Sequence, residues 1–244
     1  MKIAVISDIH GNMTALETVV EDIKRNNCDK VLCLGDLAMA GPQPRAVIDY
    51  IRNQKDWVVI QGNTDKLISD FSPELFRDVQ EKFPLMAQAL ADDVIFIEDD
   101  KKEYLHNLPP QKEIEVEGLK ILLVHGSPRK NNEDILPGMK IEQIEEIIKG
   151  TDADIILCGH THMPAGYQTS TKQTVINVGS VGRPMTEDLK ACYLILDINH
   201  GGFSAEHRLL DYDREVASKI MKARDFDGAE QIAKMLTTPM PRHI

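Results

Sequence analysis

Five apolar, β-rich runs recur along the chain, and each ends in a short polar cluster. Ile3-Ala4-Val5-Ile6 leads to Asp8-Ile9-His10-Gly11-Asn12, Val31-Leu32-Cys33-Leu34 to Gly35-Asp36, and Val58-Val59-Ile60 to Gly62-Asn63-Thr64-Asp65. Ile121-Leu122-Leu123-Val124 leads to His125-Gly126, and Ile155-Ile156-Leu157-Cys158 to Gly159-His160-Thr161-His162. Short apolar runs of this kind predict buried strands. Between them the spacing turns helical. Asn12 reads as an N-cap, followed by Leu16, Val19, Val20 and Ile23 at helical intervals. Pro44 opens a second helix that runs to about residue 52. Ile141, Ile144, Ile147 and Ile148 mark a third, before the strand at 154–158. The alternation predicts α/β layering. Runs at 174–178 and 191–198, with a hairpin at 113–116 and 120–124 turning on Gly118, predict a second, more antiparallel sheet. Two stretches fall outside this pattern. Residues 65–108 open with helix, Ser72 capping it and Pro73 in its first turn, and Val94-Ile95-Phe96-Ile97 reads as a small strand or packed turn. Residues 211–244 predict one or two helices broken near Asp227-Gly228, then a tail with Pro239 and Pro241. Packing on the core is the expectation for this last segment. A lid over the polar edge competes evenly with packing for 65–108.

Ligands of open α/β sheets bind outside the carboxyl ends of the strands. Five strand ends bearing Asp, Asn or His therefore describe one convergent site. The candidate donors are Asp8, His10, Asp36, Asn63, His125, His160 and His162. Imidazole nitrogens with carboxylate and carboxamide oxygens suit manganese, iron, zinc or nickel. No cysteine stands among the polar clusters, which argues against a closed structural zinc site. Seven donors exceed what one tetrahedral ion uses. They suit two ions about 3.5–4 Å apart sharing a carboxylate. Each residue alone has an ordinary reading: helix cap for Asp8 or Asp36, turn residue for Asn63, core histidine for His125. The ordinary reading must hold at all five places together to displace the site.

Asp-x-His, Gly-Asp, Gly-Asn-x-Asp, a lone His-Gly and Gly-His-x-His, in this order, resemble the calcineurin-like metallophosphoesterase superfamily. Asn177-Val178-Gly179-Ser180-Val181-Gly182 and His125-Gly126-Ser127-Pro128 resemble its small single-domain microbial phosphodiesterase branch. The resemblance runs from Met1 to about Ile198. It implies a four-layer α/β/β/α sandwich of two mixed sheets, with metals at one sheet edge. It also implies that Asp8, His10, Asp36 and His162 hold one ion and that Asp36, Asn63, His125 and His160 hold the other. Asp36 would bridge the two. The implied chemistry is hydrolysis of a phosphate ester by a metal-bridging hydroxide, with Asp36, Asn63 and His125 acting through the metals and no protein nucleophile. Two positions depart from the family pattern. Thr64 stands where a histidine usually assists the leaving group, and Met39 replaces the second Asp of Gly-Asp-x-x-Asp. A threonine hydroxyl is far too weak an acid to serve near neutral pH.

The chain has 244 residues, 42% of them hydrophobic, with a formal charge of −11. This fits a domain at 1–210 carrying the insertion, with 211–244 as a helical extension packed on it. The acidic balance argues against nucleic acid, and a nuclease is disfavoured. Bound cations would reverse the local field for an anionic substrate. The N-terminus enters a strand directly, without a signal-peptide core, and no run approaches the roughly 18 apolar residues of a membrane span. Cys28, Cys33, Cys158 and Cys192 lack framework spacing and read as reduced thiols, which favours the cytoplasm. Asn12, Thr64 and Arg183 are the candidate substrate-binding residues, Arg183 because a guanidinium matches phosphate oxygens. Ser127 and Ser180 lie outside a Gly-x-Ser-x-Gly elbow and are discounted as nucleophiles. The expected function is a two-metal phosphodiesterase acting on a small phosphate ester. The alternatives are a phosphomonoesterase (including a protein phosphatase) and, less favoured, a non-catalytic metal-binding scaffold. A homo-oligomer is compatible with this reading.

Overall fold

The computed structural model describes residues 1–199 and 202–239. The first half contains β1 (Lys2–Ile6), α1 (Met13–Arg25), β2 (Lys30–Cys33), α2 (Pro44–Arg52) and β3 (Val58–Val59). Four helices follow: α3 (Asn63–Ser69), α4 (Pro73–Lys82), α5 (Pro84–Phe96) and α6 (Asp99–His106). Then come β4 (Gln111–Val116), β5 (Leu119–Val124), α7 (Ile141–Ile147), β6 (Ile155–Cys158), β7 (Ala165–Gln168) and β8 (Thr174–Asn177). The last elements are β9 (Ala191–Asn199), β10 (Gly202–Leu210), α8 (Arg214–Lys222) and α9 (Ala229–Met235).

The strands form two five-stranded mixed sheets, ordered β10-β9-β1-β2-β3 and β4-β5-β6-β8-β7. In the first, β1, β2 and β3 run parallel while β9 and β10 add antiparallel. In the second, β5, β6 and β8 run parallel, and β4 and β7 close the edges antiparallel.

Strand alternation explains the layers. On β1, Ile3 and Val5 face the second sheet, meeting Leu123, Ile155 and Leu157, while Ala4 and Ile6 face the helices. That helical layer includes Leu16 and Val19 of α1, Ile48 of α2, Leu90 of α5, Met221 of α8 and Ile232 of α9. The outer face of the second sheet packs Leu122, Val124 and Ile156 against Ile144 and Ile147 of α7. Three apolar interfaces thus separate four layers, α/β/β/α, as expected. Burying these faces supplies the main drive to fold, at about 25 cal/mol per Å² of apolar surface.

Three local expectations change. Val94-Ile95-Phe96 ends α5, with Ile97 as its C-cap, and forms neither strand nor turn. Its β-branched and aromatic residues favour a strand locally, but Ala89, Leu90 and Ile97 pack into the helical layer and hold the helix. The strand at 191–198 belongs to the first sheet, against β1, and not to the second. β7 and β10 are additional strands. Pro239 lies in no regular element, and Pro241 is outside the described residues.

Candidate metal centre

The loops after β1, β2, β3, β5 and β6 meet at one edge. Asp8, His10, Asp36, His160 and His162 all adopt left-handed backbone, with φ of 55°, 47°, 53°, 66° and 61°. Such strain in non-glycine residues persists only where the surroundings enforce it, and it gathers at functional sites. Close packing does the enforcing. A Cβ on Gly62 would lie 2.0 Å from Asp36 Oδ1, so the loop after β3 can approach Asp36 only with glycine there.

All seven predicted donors come together. Asp8 Oδ1 lies 3.2 Å from His162 Nε2, 3.8 Å from His10 Nε2 and 3.9 Å from His125 Nε2. Asp36 Oδ2 stands between His125 Nε2 at 3.4 Å and His10 Nε2 at 3.6 Å. Asn63 Oδ1 lies 3.0 Å from His125 Nε2 and 2.8 Å from His160 Nδ1. Two sets of potential ligand atoms result, Asp8–His10–His162 and Asp8–Asp36–His125, each with atoms within 4.8 Å of one another. Asp8 is common to both sets, while Asp36 sits between the two histidine groups.

The surroundings fix the imidazoles. His10 Nδ1 faces Met39 O at 3.1 Å, His125 Nδ1 faces Leu34 O at 2.7 Å and His162 Nδ1 faces Arg183 O at 2.5 Å. A carbonyl accepts only, so each Nδ1 carries the proton. In the neutral rings the Nε2 lone pair then points inward. His160 is reversed: its Nδ1 faces the cluster and its Nε2 faces Asp134 Oδ1 at 3.4 Å. The donor set fits a cation on its own geometry. His10 Nε2 and His162 Nε2 face each other at 3.1 Å, lone pair to lone pair in the neutral tautomers. Asp8 Oδ1 is buried among them with no hydrogen-bond partner. Acceptors crowded on acceptors in a buried site call for a positive charge between them.

The electrostatics agree. Burial would raise Asp8 and Asp36, but His162 and His125 beside Asp8, and His125 beside Asp36, hold both far below the usual carboxylate range. Burial, with the Arg183 charge, pushes His10 down to about 3. Burial also acts to lower His125, yet Asp36 and Asp8 overcome it and raise the imidazole to about 10. Without metal, His125 therefore favours its protonated form and His10 its neutral form. A cation must displace the His125 proton, so affinity on that side is expected to rise with pH, up to about tenfold per unit below the raised value. Calorimetry of Mn²⁺ binding in buffers of different ionisation enthalpy should show about one proton released at pH 7. A buffer-independent heat would contradict this. Binding to the folded state also stabilises it. Mn²⁺ at 100 times its Kd should raise Tm by roughly 5–10 °C, and chelator should reverse the shift.

The three candidate substrate residues are placed as follows. Asn12 caps α1 through Ala15 N and donates from Nδ2 to Gly182 O at 2.9 Å, which ties the loop before Arg183 to α1. Thr64 donates its amide to Asp36 Oδ1 at 2.8 Å and its hydroxyl to Ala38 O at 3.2 Å. Arg183 is half-buried, with its Nε buried and unpartnered and Nη1 3.6 Å from Met86 Sδ of α5. His106, the nearest uncommitted histidine in sequence, pairs with Asp70 at the far end of α3. Asp65 accepts from Asp36 N, Leu37 N and Gly62 N, so it fastens the loops after β2 and β3 to each other. Burial and the Asp36 charge raise it to about 7. Asp134 and Met86 were not legible as site residues. Neither follows a strand, and nothing in their local sequence marks them.

Residues 1–201 match the model of the calcineurin-like phosphoesterase superfamily domain. An uncharacterized protein of Methanocaldococcus jannaschii is 29% identical over 237 residues, covering 91% of this chain and 93% of its own. A hypothetical protein of Pyrococcus horikoshii superposes with a TM-score of 0.87 at 23% identity, over 99% of each chain. A metallophosphoesterase from Sphaerobacter thermophilus superposes with a TM-score of 0.77 at 23% identity, over 98% of this chain and 100% of its own. The two structures speak for the fold. The family match over most of the chain, on the donor loops just described, makes this protein a member of the calcineurin-like phosphoesterase superfamily.

Proposed function

We propose that the chain hydrolyses phosphodiesters with two divalent cations. Asp8, His10, Asp36 and His162 hold one, and Asp36, Asn63, His125 and His160 hold the other. When bound, such a pair lowers the pKa of a shared water towards about 7 and neutralises phosphate oxygens. The observation that carries this reading is the buried, partnerless Asp8 Oδ1 inside a ring of inward-facing nitrogens.

The chain's own groups do the rest. Backbone carbonyls orient three imidazoles, and the fourth, His160, has Asn63 Oδ1 at its Nδ1 and the Asp134 carboxylate near its Nε2. Asp36 spaces the two histidine groups. Arg183, whose charge is felt at His10, would take a phosphate oxygen. One guanidinium matches the single negative charge of a diester better than the double charge of a monoester. The formal charge of −11 favours a small ester over a nucleic acid strand. The four cysteines are free thiols, which supports a cytoplasmic setting. No helix among the described residues is long and apolar enough to cross a membrane.

Parallel assays with manganese, nickel or zinc on bis(p-nitrophenyl) phosphate and p-nitrophenyl phosphate test the proposal. The diester is expected to show kcat/KM at least about tenfold higher, a difference of about 1.4 kcal/mol in transition-state binding. A preference for the monoester would make the protein a phosphomonoesterase. Hydrolysis of neither ester would favour a scaffold.

A further inference from the structure

The loop from β2 to α2 is strained at two consecutive non-glycine residues, Met39 at φ 77° and Ala40 at φ 58°. It lies directly against the metal-edge loop after β1. A Cβ on Gly41 would sit 1.5 Å from His10 O, so no other residue fits there. His10 Nδ1 depends on the Met39 carbonyl for its partner. Two charged residues from distant parts of the chain hold this loop. Asp93 of α5, fully buried, accepts from Ala40 N at 2.9 Å through Oδ2. Arg224, just past α8, donates from Nη1 to Gly41 O at 2.7 Å and from Nη2 to Asp93 Oδ1 at 2.7 Å. Arg224 also pairs with Asp92 and lies over the rings of Phe96 and Phe226, 5.1 and 5.3 Å from their centroids. The side chain of Arg224 is only 7% exposed, so this is a buried ion pair with its hydrogen bonds filled from the backbone.

A buried ion pair is a poor means of gaining stability, because desolvation offsets its attraction. Its value here is geometric. We propose that Asp93 and Arg224 are positioning residues for His10: by clamping Ala40 and Gly41, they hold the Met39 carbonyl at Nδ1 and keep Nε2 bare towards the metal edge. The helical insertion and the segment after α8 thereby set a ligand to which neither belongs. This inference rests on the metal-binding reading of the site.

The test reads metal-free and metal-loaded protein separately. In metal-free wild type, ¹⁵N shifts of the imidazole should show His10 as the pure Nδ1–H tautomer. Asp93→Asn and Arg224→Lys should give a mixed tautomer. Calorimetry should show Mn²⁺ affinity at the His10 side weakened about tenfold to hundredfold, with the His125 side unchanged. Ile144→Val, in the α7 layer, serves as a control that lowers stability without moving either readout. If Asp93→Asn does not fold, Arg224→Lys, which keeps the buried charge but loses the forked geometry, decides by the same two readouts. An unchanged tautomer with Mn²⁺ affinity within twofold of wild type overturns the proposal, whatever happens to Tm. Failure of wild type to bind Mn²⁺ would instead count against the metal reading, and the tautomer would still report on the clamp.

Discussion

Asp36→Ala is expected to strip bound metal from the protein and to lower turnover by at least about 10³-fold. Asp36 Oδ2 is the oxygen between His10 and His125, and its Oδ1 is anchored by the Thr64 amide. Asp65 cannot take over because it is committed to three amides, and Asp8 would be left as the one carboxylate beside His10, His125 and His162. The same variant changes the metal-free protein in a predictable direction. His125 stands at about 10 because Asp36 and Asp8 outweigh its burial. Removing Asp36 lets burial count for more, so the His125 pKa should fall in an NMR titration. His125→Ala should lose the ion on the Asn63 side and retain some affinity at Asp8–His10–His162. Elemental analysis of protein purified without chelator, with kinetics on the same samples, decides the matter. Full activity with full metal content in either variant would refute the two-ion assignment.

A steep dependence of rate on leaving group is the second large effect. A positioned general acid contributes about 10²–10⁴-fold. Thr64 occupies the place where the family usually has a histidine, and its hydroxyl proton is directed to Ala38 O. His106 is bound to Asp70 on the opposite end of α3 and does not fill that role. Aryl esters, whose leaving groups need little protonation, should therefore outpace simple alkyl esters by about 10²-fold or more. Thr64→Val should leave the slope unchanged, since no proton is lost that the reaction used. A flat dependence across graded leaving groups, with chemistry shown to be rate-limiting, would mean that another group supplies the proton. A steepened slope in Thr64→Val would assign that role to the hydroxyl after all.

Much of the fold was legible because strand runs and helical spacing report burial directly. The runs before Asp8, Asp36, His125 and His160 are buried on both faces, the run before Asn63 is half-buried at Val58 and Val59, and all five became strands or strand ends. Double burial is also why sheet membership was not legible. On β9, Tyr193 and Ile195 meet the helical layer while Leu194 and Leu196 meet the other sheet. A run apolar at every position from Ala191 to Leu196 fits either sheet equally well. β10 was hidden for the opposite reason. Glu206 and Arg208 make it read as polar surface, and it forms because an edge strand needs only one partner, here β9.

The sequence by itself determined which atoms are available to bind metal and that they stand at strand ends, since ligand chemistry and apolar periodicity are properties of residues and their neighbours. The tertiary structure alone decided which oxygen lies between which imidazoles, which ring nitrogen carries the proton, and that Asp93 and Arg224 reach the loop beside His10. Some of those relations join residues more than a hundred positions apart, such as His10 with His162 and Gly41 with Arg224. Their distances follow from how two sheets and their helices pack, which no local pattern encodes.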